Sequence, residues 1–267
     1  MRNLVIGGEG FIGKPFVNFL KSKGEEVVVF DIKNGVHEDA RVVEINFDNI
    51  DRVYFLAWDV GGAKFLYHQD LQLGQLSGNL KLLNNVMGQL EKNKKPFLFI
   101  SSQLAEEYDT VYGVTKRLGE VWTRLLGGVF IRQWNVYGPI EEESIRSHVV
   151  SDFVSQALTT GEIRMLTTGE EKRHFIHIDD VTEAWHKAME DNLKGIHDVT
   201  SFEWVRVIDL ANIIGELTGA KVIPGEKVGS TPDTPIKGKI PGWTPKVDLK
   251  KGLARMVEDM KKHKNKE

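Results

Sequence analysis

The 267-residue sequence contains no cysteine. Disulfides, thiolate nucleophiles and cysteine-based metal sites are therefore excluded. It also lacks any run of about 18 apolar residues, the length a helix needs to cross a bilayer, so no membrane-spanning segment is expected. An excess of one charge is missing too: 35 Lys and Arg against 38 Asp and Glu give a formal net charge of −3. That balance offers no electrostatic case for binding nucleic acid or an anionic membrane surface. Metal is not expected, because His174 and His177 follow a strand-like spacing and no carboxylate cluster accompanies them. The first apolar run starts near Asn3, which leaves no room for a signal peptide, and a cytoplasmic protein is the expectation. The lysine-rich tail at 261–266 reads as a solvated helix end. No internal repeat is visible.

What is present is an ordinary globular composition, 41% hydrophobic and 27% charged, with ample material for a core. The first 31 residues form the clearest unit. LVIGG reads as a short strand, GEGFIG as a turn, and 14–23 as a helix with Phe16, Phe19 and Leu20 on one side and Gly24 closing it. EVVVF, at 26–30, is a second strand ending at Asp31. Within the turn, Gly8, Gly10 and Gly13 satisfy G-x-G-x-x-G, and Gly7, Gly10 and Gly13 satisfy G-x-x-G-x-x-G. Glycines there permit a tight turn and close approach of backbone to a pyrophosphate, which then sits on a helix N-terminus. Asp31 is placed to accept from the adenosine ribose hydroxyls and would repel a 2′-phosphate, which favours NAD over NADP. The cofactor residues expected on this basis are Gly7, Gly8, Gly10, Phe11, Ile12, Gly13 and Asp31.

Further strands are expected at 42–45, 53–56, 97–101 and 129–133, and helices at 70–92 and 111–126. Strands alternating with helices predict an α/β fold, an open parallel sheet covered on both faces. Ligands of such sheets bind outside the carboxyl ends of the strands. The Leu56-Ala57-Trp58 turn, Ser102 and Asn135 all lie just past strand ends. After Pro139 the texture changes: a helix at 147–160, a strand-like run at 173–178, and a helix capped by Asp179 and Asp180 that runs through Trp185 to Met189. Helices at 205–218 and 248–262 follow, with a Pro/Gly/Lys-rich loop at 224–245 between them.

Tyr112 and Lys116 lie four apart, on one face of the helix at 111–126. A phenol ionises near pH ~10, and an ammonium one turn away is expected to lower that value toward the range of a general base. Ser102 is placed to hydrogen-bond the same substrate oxygen. Tyr-x-x-x-Lys is a short pattern that an exposed helix face also produces, so its weight depends on its surroundings.

Those surroundings supply it. GGEGFIG (7–13), FLAW (55–58), FISS (99–102), YGVTK (112–116), IRQWNVYGP (131–139), RHFIHIDDV (173–181) and GWTPKVDLKKGL (242–253) occur in an order and spacing that resembles the extended short-chain dehydrogenases/reductases of the nucleotide-sugar epimerase/dehydratase family. The resemblance runs nearly end to end. It implies a Rossmann-type doubly wound parallel sheet with a small, abbreviated C-terminal substrate lobe. Residues 1–138, with about 174–200, would bind NAD, and 139–173 with 201–267 would bind substrate. It implies Tyr112 as the base for a sugar hydroxyl, usually at C4, as NAD takes the hydride. Lys116 would bond the nicotinamide ribose, and Ser102 would share the developing oxyanion. Leu56, Ala57 and Trp58 would line the cofactor, while Gln103, Asn135 and Arg173 would face the substrate, Arg173 on the diphosphate.

The departures from the family are as informative. Gln103 and Leu104 stand where 4,6-dehydratases carry an Asp-Glu pair, and no cysteine follows the serine as in dual 3,5-epimerases. Trp58 replaces a usually small residue and is expected to narrow the nicotinamide side. A second diphosphate arginine is not evident, with Lys227 a weak substitute. The run at 59–62 resembles a hexose-contacting loop. Only nine residues separate Ser102 from Tyr112, far fewer than usual. Nine can still span ~30 Å, so a working site in a more open pocket is expected. The resemblance implies an NAD-dependent nucleotide-sugar 4-epimerase, an isomerase of polysaccharide biosynthesis. Alternatives are a keto-sugar nucleotide reductase or dehydrogenase using the same residues, and a catalytically silent dinucleotide-binding protein. A homodimer through the helices at 70–92 and 111–126 is expected by family analogy.

Overall fold

A computed structural model describes residues 1–60, 69–107, 109–138 and 148–264. Gly61 and Gly62 of the hexose-loop resemblance, Pro139, Ser147 at the expected start of a helix, and Lys266 of the tail lie outside the described residues. The first half alternates as expected: β1 (Arg2–Ile6), α1 (Gly13–Ser22), β2 (Glu26–Phe30), β3 (Arg52–Phe55), α2 (Gln69–Asn93), β4 (Phe97–Ser102), α3 (Val111–Leu125), β5 (Val129–Gln133) and β6 (Asn135–Tyr137). Then follow α4 (Val149–Thr160), β7 (Glu162–Arg164), β8 (Lys172–Arg173), β9 (Phe175–His177), α5 (Ile178–Glu190), β10 (Asp198–Val199), β11 (Val205–Arg206), α6 (Val207–Thr218), β12 (Lys221–Ile223) and α7 (Leu249–Lys264).

The central sheet has the order β10-β5-β4-β3-β1-β2, and every pairing in it is parallel. Its strands are apolar on both faces because both are covered. Side chains alternate along each strand: Val5, Tyr54, Leu98 and Ile131 pack with Phe16, Leu20 and Trp185 of α1 and α5. Leu4, Ile6, Phe55 and Phe99 pack with Leu83, Val86 and Met87 of α2 on the other side. This is the Rossmann-type doubly wound sheet the sequence implied. A third cluster, with Phe153, Ile163, Leu210, Ile214, Leu253 and Met256 at its centre, holds α4, α6 and α7 together and takes in Tyr137 and Phe175.

Several expectations are corrected. Residues 42–45 are not a strand. The segment turns away from β2 and lies over α2, where side-chain amides replace a strand ladder. Gln89 Oε1 accepts from Ile45 N at 2.7 Å, and Gln89 Nε2 and Asn85 Nδ2 donate to the carbonyl of Val43 at 3.1 and 2.8 Å. Ala40, Ile45, Phe47 and Ile50 are buried by it, so apolar content read as a strand belongs to a packed loop. The run at 173–178 is divided: β8 pairs antiparallel with β11, whereas β9 pairs parallel with β6. The helix expected from 205 begins at Val207, since Val205 and Arg206 are that β11 partner. Asp179 and Asp180 are not the cap of α5. His177 is, accepting from Asp179 N at 3.2 Å. Asp180 instead accepts from the amides of Lys246 and Val247 at 2.9 and 3.0 Å, tying the 224–245 loop's exit to α5.

Candidate active site

Because the sheet is parallel, the carboxyl ends of its strands share one edge. A cleft of about 1120 Å³ opens there. Gly7 follows β1, Asp31 follows β2, Leu56 follows β3, Ser102 ends β4, and Asn135 begins β6 just past β5. All of them line the cleft, with Gly10, Phe11, Ile12, Gly13, Ala57, Trp58, Gln103, Tyr112, Lys116 and Arg173. Gly8 does not: a Cβ there would meet Val29 and Val17 at 2.8 and 3.2 Å. That side of Gly8 is taken up by close packing of the turn against β2 and α1.

The glycine turn is a cradle that side chains would fill. Gly7 has φ +92°, and a Cβ on it would lie 2.4 Å from Ala57 N. A Cβ on Gly13 would lie 2.2 Å from Gly7 O. Gly10, by contrast, would meet only Gly7 O at 3.2 Å, so its outer side is open to the approach of a ligand. Helix α1 begins at Gly13 with Ile12 at its N-cap and no side-chain cap. Lys14 N donates to Gly10 O at 3.1 Å, Pro15 has no N–H and Phe16 N donates to Ile12 O at 3.2 Å, so the amides left for an anion are those of the turn itself, at Phe11, Ile12 and Gly13. Asp31, 8% exposed, is fixed by the amides of Glu9 and Lys33, both at 2.9 Å. Its own amide donates to Glu38 Oε2 at 2.8 Å. A second carboxylate thus stands at the end of β2, a feature not anticipated from the sequence. These residues fit a dinucleotide: open amides for the pyrophosphate and a fixed acid for the ribose.

Helix α3 carries the other group. Thr110 caps it, accepting from Gly113 N at 3.0 Å. A Cβ at Gly113 would lie 2.3 Å from Leu104 O and 2.5 Å from Glu107 O. Gly113 therefore lets the short loop after Ser102 fold directly onto the helix. The loop brings the Ser102 hydroxyl into hydrogen-bonding reach of Tyr112, on the same side of the cleft. Ser102 Oγ also accepts from Leu104 N at 3.2 Å.

The surroundings of Tyr112 do not lower its pKa. Burial pushes its phenol up to about 12, and the hydrogen bond from Ser102 only partly opposes this. The expected lowering by Lys116 is absent, for a geometric reason. Lys116 Nζ donates to the carbonyl of Ile100 at 2.6 Å and sits 4.0 Å from the centre of the Trp58 ring, against 5.7 Å for the Tyr112 ring. Burial also holds the Lys116 ammonium well below its ordinary range, so it is a weak source of positive charge here. Trp58 lines the cleft and roofs the lysine.

Beneath α3 lies a buried ion network that the sequence reading missed. Arg132 on β5, fully buried, donates to Glu120 Oε1 at 2.7 Å and Oε2 at 2.8 Å, and also to Glu106. Ser101 Oγ adds a 2.7 Å bond to Glu120. Glu120 is one turn beyond Lys116, so the network fixes the helix that carries both Tyr112 and Lys116. The bidentate fork suits a buried arginine, and Lys-x-x-x-Glu on one helix face was its available signal.

At another end of the cleft, Asn135 Nδ2 donates to the carbonyl of His174 at 3.0 Å. Arg173 donates to the carbonyls of Lys172 and Ser230, both at 2.8 Å. Asp179 pairs with Arg255 at 3.0 Å. Glu107 also lines this end. Burial raises its carboxyl while the Arg173 charge opposes the rise. Lys227 is engaged through its backbone, its carbonyl accepting from Thr168 N at 2.8 Å, and is not among the lining residues. Among the described residues no group of three or more His, Asp or Glu is placed to hold a metal, and no helix is long and apolar enough to cross a membrane.

Comparison with known proteins bears on family and fold. UDP-glucuronic acid decarboxylase 3 of Arabidopsis thaliana is 26% identical, with 98% of this chain and 89% of that protein covered. A putative UDP-glucose 4-epimerase of Methanocaldococcus jannaschii is 24% identical, covering 97% and 98%. Among solved structures, an NAD-dependent NDP-hexosamine 5,6-dehydratase of tunicamycin biosynthesis superposes with a TM-score of 0.81 at 19% identity, covering 98% of both chains. UDP-glucose 4-epimerase of Thermotoga maritima, solved with UDP-glucose, gives 0.74 at 25% identity, covering 98% and 99%. The model of the NAD dependent epimerase/dehydratase family matches residues 3–199. With most of its length matched, the chain belongs to that family and is an NAD-dependent enzyme of the extended short-chain dehydrogenase/reductase type.

Proposed function

We propose that the chain modifies nucleotide-diphosphate sugars and, within that class, is a 4-epimerase. The observation that carries this reading is the meeting of Ser102, Tyr112 and Lys116 in the cleft that the glycine turn opens into. In it, Tyr112 takes the proton of the C4 hydroxyl and later returns it. Ser102 holds the same oxygen as its charge develops. Lys116, released from the Ile100 carbonyl, supplies the positive charge that brings the phenol into range. When bound, NAD supplies the reversible acceptance of hydride. Gln103 and Asn135 border the sugar, and Arg173 takes the diphosphate with its planar fork.

Relatives that include decarboxylases support nucleotide-sugar chemistry as a class, and epimerisation is the finer claim. The division into an NAD-binding part (1–138 with about 174–200) and a substrate lobe (139–173 and 201–267) belongs to the same reading. So do a cytoplasmic setting, a part in polysaccharide biosynthesis and a homodimer. The dimer is supported by Leu73 and Leu80 on α2 and by Val114, Leu118 and Leu125 on α3, apolar side chains left exposed on adjoining helices. A monomer by light scattering at micromolar concentration rules the dimer out.

The central test incubates the NAD-loaded protein with UDP-, GDP-, dTDP- and CDP-hexoses and with UDP-glucuronate. A C4 epimer without net NADH is the expected product. Loss of CO₂, or stoichiometric NADH turnover, replaces epimerisation by decarboxylation or one-way oxidoreduction. Tyr112→Phe is expected to lower turnover by 10²–10⁴-fold, the usual contribution of a positioned acid–base group. A variant as fast as wild type overturns the mechanism.

A further inference from the structure

Three consecutive residues at the end of β4 each reach α3. The Ser102 hydroxyl meets Tyr112, the Ile100 carbonyl accepts from Lys116 Nζ at 2.6 Å, and Ser101 Oγ donates to Glu120 Oε1 at 2.7 Å. Tyr112, Lys116 and Glu120 are spaced four apart, so they form one stripe along the helix, rising about 6 Å at each step. Tyr112 and Lys116 line the cleft, whereas Glu120, Arg132 and Glu106 do not. Whatever those three contribute to the site, they contribute through their neighbours.

Glu120 is 2% exposed, and both of its carboxylate oxygens are engaged. Besides Ser101, it accepts from Arg132 at 2.7 and 2.8 Å and from Arg117 at 2.9 Å. Arg132 also pairs with Glu106, in the turn that follows Ser102, and Glu106 lies 3.8 Å from Lys237 of the 224–245 loop. The arginine on β5 therefore grips the catalytic stretch at both ends, just after Ser102 and one turn after Lys116. Stability is a poor reason to bury such a pair, because apolar residues of similar volume do as well or better there.

Lys116 supplies a better one. Its Nζ is enclosed by the Ile100 carbonyl and by the rings of Trp58, Phe99 and Tyr112 at 4.0, 5.0 and 5.7 Å. A buried carboxylate one helical turn from a buried ammonium acts through a medium that screens poorly. Burial works against the ammonium here, and Glu120 is the charge that favours it.

We propose that Glu120 is a positioning residue of the reaction: held by Arg132 and Ser101, it keeps Lys116 charged beside Tyr112. That Lys116 serves Tyr112 in catalysis rests on the function proposed above; the action of Glu120 on Lys116 does not.

The test follows the lysine itself. In the full chain labelled with ε-¹³C-lysine, Lys116 is the NMR resonance that disappears in Lys116→Met, and its titration midpoint is read with and without NAD. Glu120→Gln keeps the size of the side chain and removes its charge, and Arg132 retains Glu106, so the buried cation is not left alone. The Lys116 midpoint is expected to move to lower pH in Glu120→Gln. An unmoved midpoint overturns the proposal, because a side chain that only braced the helix would leave it where it was. Should Glu120→Gln not fold, the paired change Glu120→Leu with Arg132→Met, apolar and close in volume, gives the same reading. With a nucleotide sugar that wild type turns over, loss of the Glu120 charge is expected to lower kcat by about tenfold or more, a part of what a positioned acid–base pair supplies. A shifted midpoint at wild-type kcat overturns its part in the reaction. A wild-type protein that turns over no nucleotide sugar defeats the proposed function, while the midpoint still decides whether Glu120 acts on Lys116.

Discussion

The glycine turn and the tyrosine–lysine helix border one cleft, yet they are prepared for work to different degrees. At the turn, the backbone already holds its binding shape: Gly7 at φ +92°, Gly13 closed on Gly7 O, Asp31 tied to two amides. At the helix the groups are in place, but their charges are not. Tyr112 is pushed up to about 12, and Lys116 is paired with the Ile100 carbonyl under Trp58. The difference follows from what each end must do. A cradle for a diphosphate is made of backbone and can be complete before its ligand arrives. An acid–base pair has to change protonation, and in the free chain burial dominates its energetics. On this account the cofactor end works through fixed backbone geometry, whereas the catalytic end works through a change of charge at Tyr112 and Lys116.

The strongest way to break this contrast is at Gly13. In Gly13→Ala the new Cβ would sit 2.2 Å from Gly7 O and within 3 Å of the Gly8 backbone, neither of which is a side chain that can swing aside. Overpacking of this kind costs about 1–3 kcal/mol. NAD affinity is expected to fall by more than 100-fold by calorimetry, with a lower melting temperature. Near-normal binding would mean that the turn is less finished than its geometry indicates.

That turn was legible because it is local: glycines, strand, helix and acid lie within 31 residues of one another. The same is true of Ser102, Tyr112 and Lys116. What the motif does not show is which glycine is packed on its side-chain side: at Gly8 that depends on Val17 and Val29. The activation of Tyr112 misled for a related reason. Helical spacing places Lys116 on the right face, but the Ile100 carbonyl and the Trp58 ring, distant in sequence, determine where its ammonium goes. The Glu120–Arg132 pair was missed because Lys-x-x-x-Glu on a helix face does not say whether its carboxylate is buried or exposed.

The catalytic end is probed next, through pH. The folded Tyr112 value of about 12 lies above the free value of 10.0, so the neutral phenol is fully compatible with the fold below pH 10. Between 10 and about 12 the unfolded chain gives up this proton first, and stability falls. Tyr54 and Tyr137 are raised by burial still further, so the difference between wild type and Tyr112→Phe isolates the one group. Without NAD, Tyr112→Phe is expected to lose less melting temperature across that window than wild type. Lys116 has the opposite sign. Its folded value lies below 10.5, so at neutral pH its charge opposes folding. Lys116→Met is expected to raise the melting temperature of the NAD-free protein at pH 7 by about 2–4 °C, on the order of 1 kcal/mol, while removing activity. A fall in melting temperature would mean that the Ile100 and Trp58 contacts outweigh desolvation.

The smallest expected effect sharpens the contrast from the cofactor side alone. Residues 40–50 form a packed loop where a strand was expected at 42–45, and Ala40 and Arg41 line the cleft together with Asp31. Their loop has no ladder, so its backbone depends on Gln89, which accepts from Ile45 N and donates to Val43 O. Gln89→Leu keeps the bulk and removes both bonds, leaving Ile45 N without its partner, at a cost of about 1–2 kcal/mol. NAD affinity should weaken by only a few-fold, because the glycine turn itself is untouched. The alkaline behaviour of Tyr112 should not change, since Gln89 on α2 contacts neither it nor Lys116. If that variant shifts the Tyr112 titration as much as it shifts NAD binding, the two ends are one coupled unit and the division between a finished and an unfinished half of the cleft fails.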